Sequence, residues 1–240
     1  MMDASIMRLS CLLVPIILSS MLGPVEAAIV TYTDPAAFNI AISGRSIFSE
    51  DFDGSAVGTT IANGGSIGQF TFTYNWGNGE SLRVNNDNST NSGANYLGST
   101  DGALTSDFVA RENDITFTPA GDSSAFGLFV ITPNPAIDPA FSGDIVLSAG
   151  GANAELASSS LATLADNSQV YFLGLVEDTG AAIGPYSLTA SIGAGAVQLP
   201  YRIDGLQAAT AVPEPSVVSA MSILLLLVSR YRSRQSCLEC

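Results

Sequence analysis

The stretch QFTFTYNW, residues 69–76, decides how this chain folds. Phe70, Phe72, Tyr74 and Trp76 alternate with Thr71, Thr73 and Asn75. A period of two sends successive side chains to opposite faces of an extended strand, so all four aromatics share one face. Such a row serves either as the inner face of a sandwich or as an exposed platform where Tyr74 and Trp76 stack on sugar rings. Either way the segment is a strand.

Outward from it the same grammar repeats. SIFSEDF, DITFTP, SAFGLFVIT, GDIVLSAG, QVYFLGLVE, YSLTASI and PYRIDGLQ are short, rich in β-branched and aromatic residues, and separated by Gly, Asn, Asp, Ser and Pro. AFGLFVI and YFLGLV are almost continuously apolar, which predicts central strands covered on both faces. The body opens with IVTYT, a short strand, and then DPAAFNIAISG. There Asp34 suits the cap, Pro35 the first helical position and Gly44 the exit, so one short helix is expected. The expected fold is mainly β: an antiparallel two-sheet sandwich, jelly-roll-like, of about eight to ten strands. NNDNSTNSGAN, residues 85–95, reads as a loop too polar to pack, either mobile and ligand-contacting or plain surface.

Charge and composition narrow the chemistry. The chain carries a net charge of −14, with no histidine and no lysine. Residues 28–212 hold 18 acidic and 4 basic side chains, so the body alone carries the full −14. A surface that negative repels phosphate backbones and excludes nucleic acid as a partner. Cys11, Cys237 and Cys240 all lie outside this span. Without histidine or cysteine, the body cannot assemble the usual nucleophile–base pairs or a His/Cys zinc site. GGSIGQF lacks the lysine of a phosphate loop. Paired carboxylates could still hydrolyse a glycan, but acidic residues are too common here to single out a pair. The expectation is a protein that is not an enzyme.

One acidic constellation stands out. SEDFDG supplies Glu50, Asp51 and Asp53, hard oxygen ligands of the kind that bind Ca²⁺. First and last strands often lie side by side in a sandwich, which would let Asp204 of YRIDGL complete a structural calcium site. The plain alternative is a solvated acidic turn.

The two ends of the chain carry addresses rather than core. Arg8, the apolar CLLVPIILSSMLG and the small residues of PVEAA form a secretory signal, with the cut expected between Ala27 and Ala28. At the other end, AVPEPSVVSAMSILLLLVSRYRSRQSCLEC places a Pro-Glu-Pro turn before an apolar run and then arginines. The run at 216–229 is 14 residues, about 21 Å as a helix against a hydrocarbon core of about 30 Å. It has no polar face for docking on a core. Arg230, Arg232 and Arg234 would stay on the cytoplasmic side and leave the body outside.

This tripartite tail resembles the PEP-CTERM sorting signal of exported bacterial proteins. The resemblance implies that Pro213, Glu214 and Pro215 are read by an exosortase-type membrane protease. It also implies that Arg230, Arg232 and Arg234 are retention charges, and that the protein belongs to an envelope associated with exopolysaccharide. The likeness covers roughly the last 25 residues closely. The body, through SEDFDGSAVGTTIANGG and VYFLGLVEDTG…YRIDGL, looks more loosely like the β-sandwich bodies that precede such tails. The expected organisation is a signal peptide at 1–27, an exported sandwich at 28–211, a sorting and transmembrane segment at 212–235, and a tail at 236–240. The expected role is a non-enzymatic cell-surface or extracellular-matrix component. The alternatives are a carbohydrate-binding module and a carboxylate-dependent glycan hydrolase.

Overall fold

The computed structural model describes residues 28–76, 80–100, 114–136, 140, 142–190 and 201–211. The export signal, Ala27 included, lies outside the described residues. So do Pro213, Glu214, Pro215, the terminal apolar segment, Arg230, Arg232 and Arg234. Among the described residues no helix is long and apolar enough to cross a membrane.

The body is built from two antiparallel sheets. Across one run β1 (Ile29–Tyr32), β13 (Gln169–Glu177), β9 (Ser123–Thr132), β15 (Arg202–Thr210), β7 (Tyr96–Ser99), β6 (Leu82–Asn85) and β3 (Thr60–Ile61). To the same sheet β12 (Ala162–Thr163) adds on β13, and β2 (Ile47–Glu50) on β15. The second sheet runs β11 (Ala152–Glu155), β10 (Ile145–Ala149), β14 (Tyr186–Ala190), β8 (Ile115–Pro119), β5 (Phe70–Thr73) and β4 (Ser66–Ile67).

The aromatic row of residues 70–76 is core. Phe70, Phe72 and Tyr74 are buried, and Trp76 packs against them half-buried. Phe126, reaching in from β9, joins the sheets: its ring lies 6.0 Å from Phe70, 5.1 Å from Phe117 and 4.7 Å from Tyr186. Offset and edge-on ring pairs of this kind add to the burial of large apolar area.

β9 and β13 are apolar on both faces, as their sequence runs require. Inward, Phe126, Leu128, Val130, Leu173 and Leu175 fill the space between the sheets. Outward, Ala125, Phe172 and Val176 meet Phe38 of a short helix, α1 (Pro35–Ala41), and its C-cap residue Ile42. Asp34 caps α1 by accepting from the Ala36 N–H at 2.9 Å. Gly44, at φ +85°, then turns the chain away.

One topological expectation needs correction. The first strand, β1, pairs with β13, and it is β2 that hydrogen-bonds to the last strand, with Glu50 opposite Leu206. The segment after β2 therefore still arrives beside Asp204, by a different route.

Candidate functional site

Residues 51–54 follow β2 in a tight turn. Phe52 sits at φ +65°, a region a bulky residue rarely occupies, and its ring is fully buried in the core. That inward anchor throws the flanking carboxylates outward, where they take separate tasks. Glu50 Oε1 accepts from the Phe52 N–H at 2.9 Å, and Asp51 Oδ1 accepts from the Asp53 N–H at 3.1 Å. Asp53 Oδ1 reaches across the chain and accepts from the N–H groups of Ala94 and Asn95, both at 2.8 Å.

Asp204 meets the same loop from β15. The register of β15 against β9 shifts between Asp204 and Leu206, with Gly205 as the extra residue at φ +62°. This bulge keeps Ile203, Leu206 and Ala208 in the core while Asp204 points to the other face. Its Oδ2 accepts from the N–H groups of Asn91 (2.7 Å) and Ser92 (2.8 Å), and its Oδ1 from the Ser92 hydroxyl at 2.7 Å. Burial pushes the Asp204 carboxyl above its ordinary range; the Ser92 and Asn91 donors oppose this, and nearby Asp53 adds to it.

A third carboxylate completes the row. Asp166 Oδ2 accepts from the Ser89 N–H at 3.3 Å and from Arg202 Nη2 at 3.1 Å. The Arg202 side chain is fully buried, donates to Ser168 Oγ at 2.5 Å, and lies 5.1 Å from the centre of the Tyr96 ring. Tyr96 in turn donates to Asp87 Oδ1 and accepts from Asn88 Nδ2. Asp166, Asp204 and Asp53, from three separate parts of the chain, thus take the backbone N–H groups of residues 89, 91, 92, 94 and 95. The loop expected to be too polar to pack is fastened along its length.

Residue types alone flagged Asp53 and Asp204, and the structure brings both onto this loop. Glu50 and Asp51 instead cap their own turn. Among the described residues no three His, Cys, Asp or Glu side chains gather as a metal cluster. Backbone and hydroxyl donors already engage Asp53 Oδ1 and both oxygens of Asp204. Asp166, Arg202 and Tyr96 escaped the sequence reading. The one signal, for Arg202 alone, is the alternation in YRID, which puts Arg202 and Asp204 on one face of a strand whose other face is core.

Of the two readings open for the aromatic row, inner face or sugar platform, Tyr74 takes the first. Tyr74 is buried; its hydroxyl donates to the Ile61 carbonyl and accepts from the Leu82 N–H at 3.3 Å. Its ring lies 4.4 Å from that of Trp76, whose indole N–H donates to the Asp114 carbonyl at 3.2 Å. Tyr74 is spent inside, and only part of Trp76 faces out.

The Asp166–Arg202 pair makes a pH prediction. Burial raises the Asp166 carboxyl, but bonds from Ser168 and Arg202 outweigh it and hold it below the usual aspartate range. A depressed folded-state value adds stability that is present above about pH 4 and lost as pH falls through the lowered value. Wild type should therefore lose stability relative to Asp166→Asn between about pH 4 and pH 2, read by urea melts along that series. A gap independent of pH would contradict it.

No family model and no curated protein matches this chain. Among solved structures, the K2 cleaved adhesin domain of Lys-gingipain aligns with 69% of this chain and 100% of its own, at 12% identity and a TM-score of 0.39. The catalytic domain of a GH87 alpha-1,3-glucanase in complex with nigerose aligns with 60% of this chain, at 16% identity and a TM-score of 0.29. This chain spans only 29% of that glucanase structure. Likenesses this distant bring neither an activity nor a ligand to the chain.

Proposed function

We propose that this is an exported cell-envelope protein, sorted through its C-terminal segment, whose sandwich body is a non-enzymatic component of the cell surface or extracellular matrix. One observation carries the reading: the order Pro213-Glu214-Pro215, an apolar run of 14 residues, then Arg230, Arg232 and Arg234. An apolar run of that length is short for a stable span, and the turn before it and the charges after it suit an address that a membrane protease reads. The body fits a structural role. Asp53, Asp166 and Asp204 accept hydrogen bonds from the body's own backbone, which suits holding a loop in place rather than moving protons to a substrate.

The test is the intact mass of the protein recovered from the outer surface of its native cells. A mature chain beginning at Ala28 and ending near Pro215 is expected. A chain running through Cys240 and found only in membranes would make the tail a plain anchor and end the sorting mechanism.

A further inference from the structure

Away from the fastened loop, a concavity of about 220 Å³ opens between the β8–β9 turn and the β13–β14 loop. Its apolar walls include Pro119, Ile183 and Pro185, and its polar rim includes Thr118, Asp122 and Ser123. Backbone bonds hold both walls: Ala120 N–H to the Gln69 carbonyl (2.7 Å), Ile183 N–H to the Ser123 carbonyl (2.7 Å) and Ala211 N–H to the Asp122 carbonyl (3.0 Å). The Ser123 hydroxyl is committed to the Tyr186 hydroxyl at 3.0 Å. The Thr118 hydroxyl and the Asp122 carboxylate are exposed, and neither makes a hydrogen bond among the described residues. The site is preformed, with two polar side chains unspent.

We propose that this concavity is a subsite for a single neutral pyranose ring of a polysaccharide. Its volume lies below the roughly 300 Å³ at which pockets for drug-sized ligands begin, which suits one ring. An ionised carboxylate only accepts, so the ligand must bring donors. The walls present the exposed Pro185 ring and the part-exposed Ile183 side chain over a buried Pro119, so it must also bring an apolar face. A pyranose supplies both, through its hydroxyls and its C–H face. The body's charge of −14 argues against a polyanionic glycan. The proposal deepens the matrix reading by naming a ligand class, and rests on that reading only for its setting.

The experiment uses the full chain in a zwitterionic, sugar-free detergent. Methyl α-glucoside, methyl α-mannoside and methyl α-galactoside are the probes, followed by saturation-transfer NMR. Transfer to the C–H face of at least one probe is expected, with binding weakened about fivefold or more in Asp122→Ala and about two- to threefold in Thr118→Val. The melting temperature should stay within about 2 °C in both variants, since both side chains are exposed and neither makes a hydrogen bond that would be lost. Absence of transfer from all three sugars overturns the proposal, as does transfer unchanged in Asp122→Ala. A lysine-rich peptide that binds through Asp122 while no sugar does would assign the pocket to a cationic partner instead. None of these outcomes alters the intact-mass result, so the two readings fail separately.

Discussion

Asp204→Ala should cost about 2–4 kcal/mol of unfolding free energy at pH 7 and loosen residues 89–95. Asp204 accepts three hydrogen bonds from Asn91 and Ser92, and bonds to a charged acceptor contribute about 1.5–3 kcal/mol each before desolvation is subtracted. Desolvation is substantial here, since burial is the main reason its carboxyl titrates high. The pH dependence follows from that direction. A folded-state value above the unfolded one means the native protein binds this proton more readily than the unfolded chain does. The group's contribution is therefore complete below about pH 4 and declines as pH rises through the raised value. The advantage of wild type over Asp204→Ala should accordingly be larger at pH 4 than at pH 7. Urea melts at both pH values give the gap, and amide exchange at Asn91 and Ser92 reports the loop. A loss under about 1 kcal/mol with unchanged exchange would show that the carboxylate does not hold the loop.

This carboxylate also marks where the sequence stops being readable. The long strands β9 and β13 were legible because unbroken apolar runs survive in the text, and the alternation at residues 70–76 marks β5, although only Phe70–Thr73 of it is paired as strand. β3, β4, β6, β7, β11 and β12 did not. They are two to four residues long, too short for a period, and are formed by pairing with neighbours rather than by their own pattern. The fastening of the loop at 85–95 is hidden for a related reason. Its polarity is visible, but the partners that satisfy its N–H groups lie 41 to 113 residues away, and no local rule places Asp53, Asp166 and Asp204 along one line. Gly205 was visible beside Asp204, yet its effect as a bulge that aims the carboxylate outward depends on the register with β9.

The other large effect concerns the outer face of the same sheet, where α1 docks through Phe38. Gly127 and Gly174 stand directly opposite each other on β9 and β13, in the middle of two runs otherwise filled with large residues. A Cβ on Gly174 would lie 2.7 Å from Phe38 Cδ2 and 2.8 Å from Phe172 Cε1; one on Gly127 would lie 2.6 Å from Phe172 Cζ and 3.1 Å from Phe38 Cζ. The paired glycines are a seat for the two rings, which meet edge-on at 5.2 Å. Phe38→Ala should then cost about 3–5 kcal/mol, the range for emptying a buried phenylalanine site. It would also uncover Ala125, Phe172, Val176 and Ala209 as an apolar patch prone to association. Gly174→Ala should cost about 1–3 kcal/mol by overpacking, although alanine is otherwise the better strand residue. The two changes should not add. With Phe38 truncated, half of the crowding at Gly174 is gone, so the double variant should be about 1–2 kcal/mol more stable than the sum of the singles implies. A cycle additive within about 0.5 kcal/mol would mean the glycines are there for some reason other than the helix.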